Sequence, residues 1–423
     1  MNELTKDITT KKSRFVNEKT LIATVDIGKF TNSGYSRCPD GTEMKVFEFF
    51  NTGKGFQEFY DRIHAMKRRH HLEEIVVGFE STGPYGVPLM QFLNKKSEKL
   101  VQVNPMHTKR LKELQGNSPS KTDQKDPKVI ADIIALGHAL QVVIPEGAVA
   151  ELRRLTQARE RAQKRRTALL NQLQDLVFEV FPEFLTVMKT VQTHSAQALL
   201  RQQSTPERIK DYGLSQLTTL LRKVSRGKLG ADRAKALYEV AGESVGLQEG
   251  KTSLVMEIQY LLQDLQSLES FLSQLEQQMK RHLQQIPYAH CLLSVKGIGE
   301  ITAAGLIGEV GDFGKFHTLS ELMKLAGLDL FEISSGKHKG QRHISKRGRP
   351  LLRKLLFFAA INVVRTGGIL HQQYQNYLQR GMIKMKALIA IARKLLGILF
   401  ALVRDHREYI HDYLNQQPIA VAA

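Results

Sequence analysis

Four carboxylates and a pair of serines have the types and settings that phosphodiester chemistry requires. Asp26 closes the β-branched run in ATVDIGKF, and Glu80 closes IVVGFE ahead of the turn STGPYG. Asp123 and Asp126 stand three apart in KTDQKDPKVIADI. Strand ends are rigid platforms, and an i,i+3 pair shares one face wherever its segment is helical. Mg²⁺ takes hard oxygen ligands, keeps several waters and needs only a few carboxylates. Two such ions roughly 4 Å apart polarise a phosphate and stabilise both the attacking and the leaving oxygen. Each acid also has a plainer reading. Asp26 and Glu80 suit solvated strand ends, and Asp126 before Pro127 is a good helix N-cap with Pro at N1. Singly each reads as structural; jointly they form a far more specific pattern.

The serines lie at the other end of the chain. Ser334 and Ser335 precede Gly336 among Lys337, Lys339, Arg342, Lys346, Arg347 and Arg349, with Arg353 a turn further on. A serine hydroxyl becomes a useful nucleophile only when a base or metal lowers its effective pKa. Neighbouring guanidinium and ammonium groups would stabilise charge building on an attacked phosphate. SSGK alone is also an ordinary turn, and the cluster an ordinary DNA-facing surface; composition does not separate the two. Just upstream, LLSVKGIGEITAAGLIGEVGDF reads as a helix-hairpin-helix. Its turn Gly297-Ile298-Gly299, beside Lys296, offers backbone N–H groups and a helix N-terminus to a phosphate. The plainer reading is a Gly-containing helical turn.

These groups need elements to hold them. Leu21–Asp26 reads as a strand; Ser33–Arg37 and Met44–Phe50 flank the turn Pro39-Asp40-Gly41 as a hairpin. A polar helix near Phe56–Arg69, a strand at Glu74–Glu80, a helix near Val87–Lys95 and a strand at Lys99–Val103 follow. This order matches the ribonuclease H-like fold, a fold-level analogy. The middle is helical. Ala148–Val180 crowds Arg153, Arg154, Arg159, Arg161, Lys164, Arg165 and Arg166 into its first half, a candidate nucleic-acid grip. Leu254, Ile258, Leu261, Leu265, Leu268, Leu272, Leu275 and Met279 step by four and three, a heptad seam that predicts a coiled coil within the chain or between protomers. An antiparallel hairpin of Ala148–Val180 with Thr252–Leu283 satisfies the same pattern. The expected class is thus α/β plus all-α: a mixed sheet, a helical coiled-coil spacer and a C-terminal helical domain.

Bulk properties narrow the function. The 423 residues suffice for two or three domains with proper cores. A net charge of +19 points to a polyanionic partner, because each Lys or Arg near a phosphate releases condensed counterions. From Ile333 to Arg404 there is no Asp or Glu, whereas about fifteen Lys and Arg occur. Only Cys38 and Cys291 are present, which excludes a disulfide scaffold or zinc cluster and fits a reducing cytosol. The first twenty residues contain no apolar signal-like run, and Leu355–Val364 and Leu395–Val403 are too short to span a bilayer. The expectation is a cytoplasmic protein without a membrane partner.

The motifs ATVDIGKF, GFESTGPYG, KTDQKDPKVIADI, GIGEITAA and AGL…SSGK…ISKRGRPLLRKLL occur in the order found in one group of insertion-sequence transposases. Across nearly its whole length the chain resembles these DEDD transposases, which are related to the pilin-gene invertases and act as bridge-RNA-guided recombinases. The resemblance implies a RuvC-like domain over residues 18–145, a spacer over 146–285 and a transposase domain over 286–415. It implies that Asp26, Glu80, Asp123 and Asp126 form a tetrad for Mg²⁺, with Mn²⁺ as substitute. The family's catalytic serine falls in SSGK and is assigned to Ser335, with Ser334 as the alternative. DNA ends and target as substrates, a noncoding bridge RNA and a homo-oligomer (dimer or tetramer) sharing sites between protomers are implied too, as is a bacterial or archaeal, nucleoid-associated setting. The chain departs from the pattern twice. Pro127 replaces a small residue after the last Asp, which would shift the helix start, and Glu183–Glu249 is an insertion that the motifs do not explain.

Three other readings compete. A metal-dependent, structure-selective nuclease of the Holliday-junction resolvase type would use the same acids with water as nucleophile. A non-catalytic DNA-binding protein would leave the acids structural. DIGKFT also resembles the first phosphate loop of actin-like ATPases and sugar kinases, but their second phosphate loop and adenosine loop have no counterpart here.

Overall fold

The computed structural model describes residues 15–80, 83–115, 126–142, 144–332, 340 and 342–410. The chain divides into two compact units, Met1–Ile144 and Pro145–Ala423. Among the described residues no helix is long and apolar enough to cross a membrane.

The first unit is built on a mixed sheet. Strands β1 (Thr20–Asp26), β2 (Thr31–Arg37), β3 (Phe47–Phe50), β4 (Glu74–Glu80), β5 (Lys99–Val103) and β6 (Ala139–Gln141) lie in the order β3-β2-β1-β4-β5-β6. β1 runs parallel to β4 and β4 to β5, while β1/β2, β2/β3 and β5/β6 are antiparallel. This arrangement is consistent with a ribonuclease H-like domain. The period-2 alternation of strands sorts the side chains onto two faces. Leu21, Ala23, Val25, Ile75, Val77 and Phe79 face one core with Phe56, Phe59 and Ile63 of α1 (Gly53–Arg69) and Leu89 and Leu93 of α2 (Val87–Lys95). Ile22, Val76, Val101 and Val103 face the other, with Val129, Ile130, Ile133 and Ile134 of α4 (Asp126–Ala135). Gly78 makes room for that helix: a Cβ there would lie 2.1 Å from Ile134 Cδ1.

Several boundaries differ from expectation. Thr52 accepts a hydrogen bond from Gly55 N at 3.3 Å, so α1 starts three residues before Phe56. The hairpin narrows early, Cys38 N donating to Thr42 O at 2.8 Å, and β3 resumes only at Phe47 rather than Met44. α3 (Pro105–Gln115) and β6 were not foreseen. Pro127 does not displace the helix, which opens at Asp126 with Pro127 in its first turn, where a missing N–H costs nothing.

Among its described residues the second unit is helical apart from one short ladder. α5 (Gly147–Val180) and α11 (Lys251–Leu283) pack along each other. Arg159–Glu276 at 2.7 Å, Arg166–Glu269 at 3.0 Å and Gln172–Glu257 at 2.7 Å descend in opposite directions along the two helices, so the pair is antiparallel. Such partly exposed pairs add little stability. The predicted seam is filled within the chain: Ile258, Leu261, Leu265, Leu268, Leu272 and Leu275 are buried with Leu169, Leu173, Leu176 and Val180. The insertion supplies the rest of this core as five short helices, α6 (Pro182–Met188), α7 (His194–Gln202), α8 (Pro206–Tyr212), α9 (Leu214–Ser225) and α10 (Ala231–Gly242). At the opposite end Leu152, Met279 and Leu283 enter a second core. It is completed by α12 (Ala289–Leu293), α13 (Glu300–Val310), α14 (Leu319–Ala326), α15 (Pro350–Val363), α16 (His371–Gln379) and α17 (Lys384–Arg404). Strands β7 (Leu330–Phe331) and β8 (His343–Ile344) pair antiparallel.

Candidate active site and nucleic-acid interface

Asp26 and Glu80 end neighbouring parallel strands. The register pairs Val25 with Phe79, so the two acids follow side by side, with strands about 4.8 Å apart. Both fall in the alternation of Ile22, Thr24, Val76 and Gly78, and therefore point to the face covered by α4. That helix is tied to the strand end: Thr24 Oγ1 donates to Pro127 O at 2.7 Å in a buried bond. The tie brings Asp126, at the N-terminus of α4, to the same end of the sheet.

The electrostatics register this convergence. Burial pushes the Glu80 carboxyl above the ordinary range, and the negative charges of Asp26 and Asp126 push it the same way; Lys112 and a hydrogen bond with Thr108 oppose them. Lys112 Nζ lies 2.5 Å from Asp126 Oδ1. Among the described residues the three carboxylates make a half-buried donor set of hard oxygens that suits a divalent cation. Among the described residues no three acidic, His or Cys side chains already form a closed metal-binding group. Asp123, the fourth expected ligand, lies outside the described residues. Sequence reasoning missed Thr108 and Lys112. Their i,i+4 spacing on α3 puts both on one face, but that signal was mute while α3 itself was unrecognised.

In the second unit the β7/β8 ladder brackets the segment with the serines; Ser334, Ser335, Lys337 and Lys339 lie outside the described residues. The basic residues around it divide into two kinds. Lys346 and Arg347 are exposed, and Arg342 is paired with Glu332 at 3.0 Å while still largely open to solvent. Arg349 and Arg353 are turned inward. Arg353 Nη1 donates to Ala326 O at 3.0 Å, at the end of α14, and Arg349 donates to the backbone oxygen of Glu309. Desolvation and the nearby Arg153 push the Arg349 guanidinium down to about 10, opposed by Glu309. Glu309, buried on α13, was another residue that sequence reasoning passed over. Arg349 and Arg353 hold the fold around their segment.

The Gly297-Ile298-Gly299 turn connects α12 to α13. Gly297 takes φ +107°, where a side chain would be strained, whereas a Cβ on Gly299 would meet nothing within 4 Å. Lys296, Gly297 and Gly299 are exposed, so the N-terminus of α13 is open. The Glu300 carboxylate in its first turn complements the helix dipole and is itself paired with Lys280 at 2.6 Å. The basic first half of α5 is also less free than its sequence suggests. Arg159, Arg165 and Arg166 pair with Glu276, Asp264 and Glu269 of α11, and Lys164 with Glu160 of its own helix, while Arg154, Arg161, Lys164 and Arg165 remain exposed.

Comparison with known proteins agrees with both halves. Residues 23–182 match the DEDD family of the IS110 type, described as a transposase, and residues 289–375 match the transposase IS116/IS110/IS902 family. An uncharacterized 43.6 kDa protein of insertion element IS110 from Streptomyces coelicolor is 24% identical over 91% of this chain and 94% of its own length. A transposase for insertion sequence element IS1111A from Coxiella burnetii is 28% identical over 52% of this chain and 62% of its own length. The pilin gene-inverting protein of Moraxella bovis is 34% identical over 29% of this chain and 40% of its own length. With an acid-lined sheet end in the first unit and a second matched segment in the helical unit, the chain belongs to the IS110-type DEDD transposases and is a DNA transposase/recombinase.

Proposed function

We propose that this protein cuts and rejoins DNA at the ends of an insertion sequence, with Asp26, Glu80, Asp123 and Asp126 as its acidic centre and Ser335 as nucleophile. What supports the acidic part is geometry: Asp26 and Glu80 close adjacent parallel strands on one face, and the Thr24–Pro127 bond ties the start of the helix that carries Asp126 to that end of the sheet. The family suggests a divalent metal ion, here assigned as Mg²⁺, which when bound would polarise the scissile phosphate and steady charge on its oxygens. Thr108 hydrogen-bonds Glu80, and Lys112 pairs with Asp126 in the place that the cation would take. The serine part is supported by family resemblance and by the basic setting of SSGK. The Ser335 oxygen forms a bond to phosphorus, the bond to one deoxyribose oxygen breaks, and the serine proton ends on that leaving hydroxyl. The phosphoserine conserves the bond, so the reverse attack by another DNA hydroxyl reseals a strand without ATP.

In this reading the α5/α11 pair serves as the coiled-coil spacer, and the Lys296–Gly299 turn as the helix-hairpin-helix that grips a DNA phosphate. Lys337, Lys339, Arg342, Lys346 and Arg347 contact the backbone. A noncoding bridge RNA selects donor and target, and protomers assemble as a dimer or tetramer. The test is a suicide substrate that releases its short product on cleavage. The wild-type chain should form a covalent protein–DNA adduct, Ser335→Ala should not, and Asp26→Ala should lose cleavage. Cleavage without any adduct would identify water as nucleophile and favour the resolvase-type alternative.

A further inference from the structure

Beside the acidic centre three aromatic side chains stand open to solvent: Phe30, 72% exposed, Phe50, 68%, and Tyr85, 46%. They come from separate loops and a strand end, and Asn51, next to Phe50, ties the backbones of the two loops to that strand end. Its backbone N–H donates to Phe30 O at 2.7 Å. Its side-chain amide donates to Gly28 O at 3.2 Å, Lys29 O at 3.4 Å and Tyr85 O at 3.1 Å. Lys29 Nζ lies 5.0 Å from the centre of the Phe30 ring.

The strand register fixes where Phe50 points. Asp26 pairs with Ser33, Ser33 with Glu48, and Thr31 with Phe50. Directly opposed residues share a face, and so do residues two apart on one strand. Phe50 therefore projects from the same face of the sheet as Asp26 and Glu80, two strands over from Asp26 and two residues further out. That is about 10 Å sideways and about 7 Å outward, or three to four nucleotides of a stacked strand at about 3.4 Å each.

We propose that Phe50 is a stacking platform for an unpaired DNA base that flanks the phosphate held at the acidic centre, with Phe30 and Lys29 exposed on the adjoining loop. An exposed ring offers a π-face to any unstacked base, whereas bases inside a duplex present none. Glu48 lies between the platform and the acids on the same face and repels phosphates, so stacking is the interaction that strip affords. The choice of DNA over RNA rests on the function proposed above; the platform itself does not.

The test measures binding of the full chain to a fluorescent oligodeoxythymidylate and to a labelled duplex, in EDTA, so that no cleavage enters. Phe50→Ala should weaken the single strand about tenfold and leave the duplex within about twofold; Phe50→Tyr should restore binding. The sequence has no Trp, so Phe50→Trp installs a sole reporter whose emission the single strand should quench. Equal weakening on strand and duplex, or an unquenched Trp, overturns the platform. A tenfold effect confined to an oligouridylate overturns the DNA assignment. Asp26→Ala should lose cleavage yet keep the Phe50 effect, which separates failure of this inference from failure of the catalytic reading.

Discussion

Thr24 and Pro127 are joined by a buried 2.7 Å hydrogen bond that ties the central strand to the first turn of α4, two residues from Asp26 and one from Asp126. Thr24→Val keeps the shape and deletes the donor, at a cost of about 1 kcal/mol in urea unfolding. Strand cleavage should fall by more than that stability loss accounts for, because Asp126 is no longer registered against Asp26. Equal, small losses in both would make the bond merely structural.

Lys112 stands where a cation is wanted and is itself one, 2.5 Å from Asp126. Lys112→Gln removes a competitor for the carboxylates. The concentration of divalent ion that half-saturates cleavage should drop, by about tenfold if the local dielectric resembles that of partly buried pairs. A rise in that concentration would show that Lys112 builds the site rather than competes within it.

The strands that carry Asp26 and Glu80 were legible because β-branched runs end sharply at turns, and strand-end position followed from them. Phe50 was legible only as part of a strand; its face depends on the β1/β2/β3 register, which no local pattern encodes. α3 escaped because PMHTKRLKELQ has few apolar residues with which to mark a face, so Thr108 and Lys112 escaped with it. The inward turn of Arg349 and Arg353 was illegible for a different reason. A run of like charges reads as a solvated face, and only the packing of α13 and α14 shows which side chains carbonyl oxygens have claimed.

Gly308 on α13 lies against α5, where an added Cβ would sit 2.7 Å from the Leu152 carbonyl and 2.8 Å from Arg153 N. These are backbone atoms and cannot swing aside. Gly308→Ala should therefore destabilise the helical unit by about 2 kcal/mol or more, through overpacking, and the first unit's acidic centre should bind metal as before. Urea unfolding checks the first part.

Burial alone would raise the Glu183 carboxyl, but hydrogen bonds from Ser244 Oγ at 2.6 Å and Val245 N at 3.1 Å outweigh it and hold the group below its ordinary range. A carboxyl depressed in the folded state adds stability above its unfolded pKa and loses it as pH falls through the folded value. The helical unit should thus weaken as the medium becomes more acidic than about pH 4.5, the usual glutamate range. Glu183→Gln should flatten that part of the stability–pH curve; an unchanged slope would refute the assignment.

Binding of Mn²⁺ to the full chain, followed by electron paramagnetic resonance without DNA, tests most directly the proposal that these carboxylates share one cation. Asp26→Asn, Glu80→Gln and Asp126→Asn should each weaken one common site at least tenfold. Ser335→Ala should leave the affinity for Mn²⁺ as it is. Unaltered binding in all three acid variants would contradict the convergence of these carboxylates on a metal.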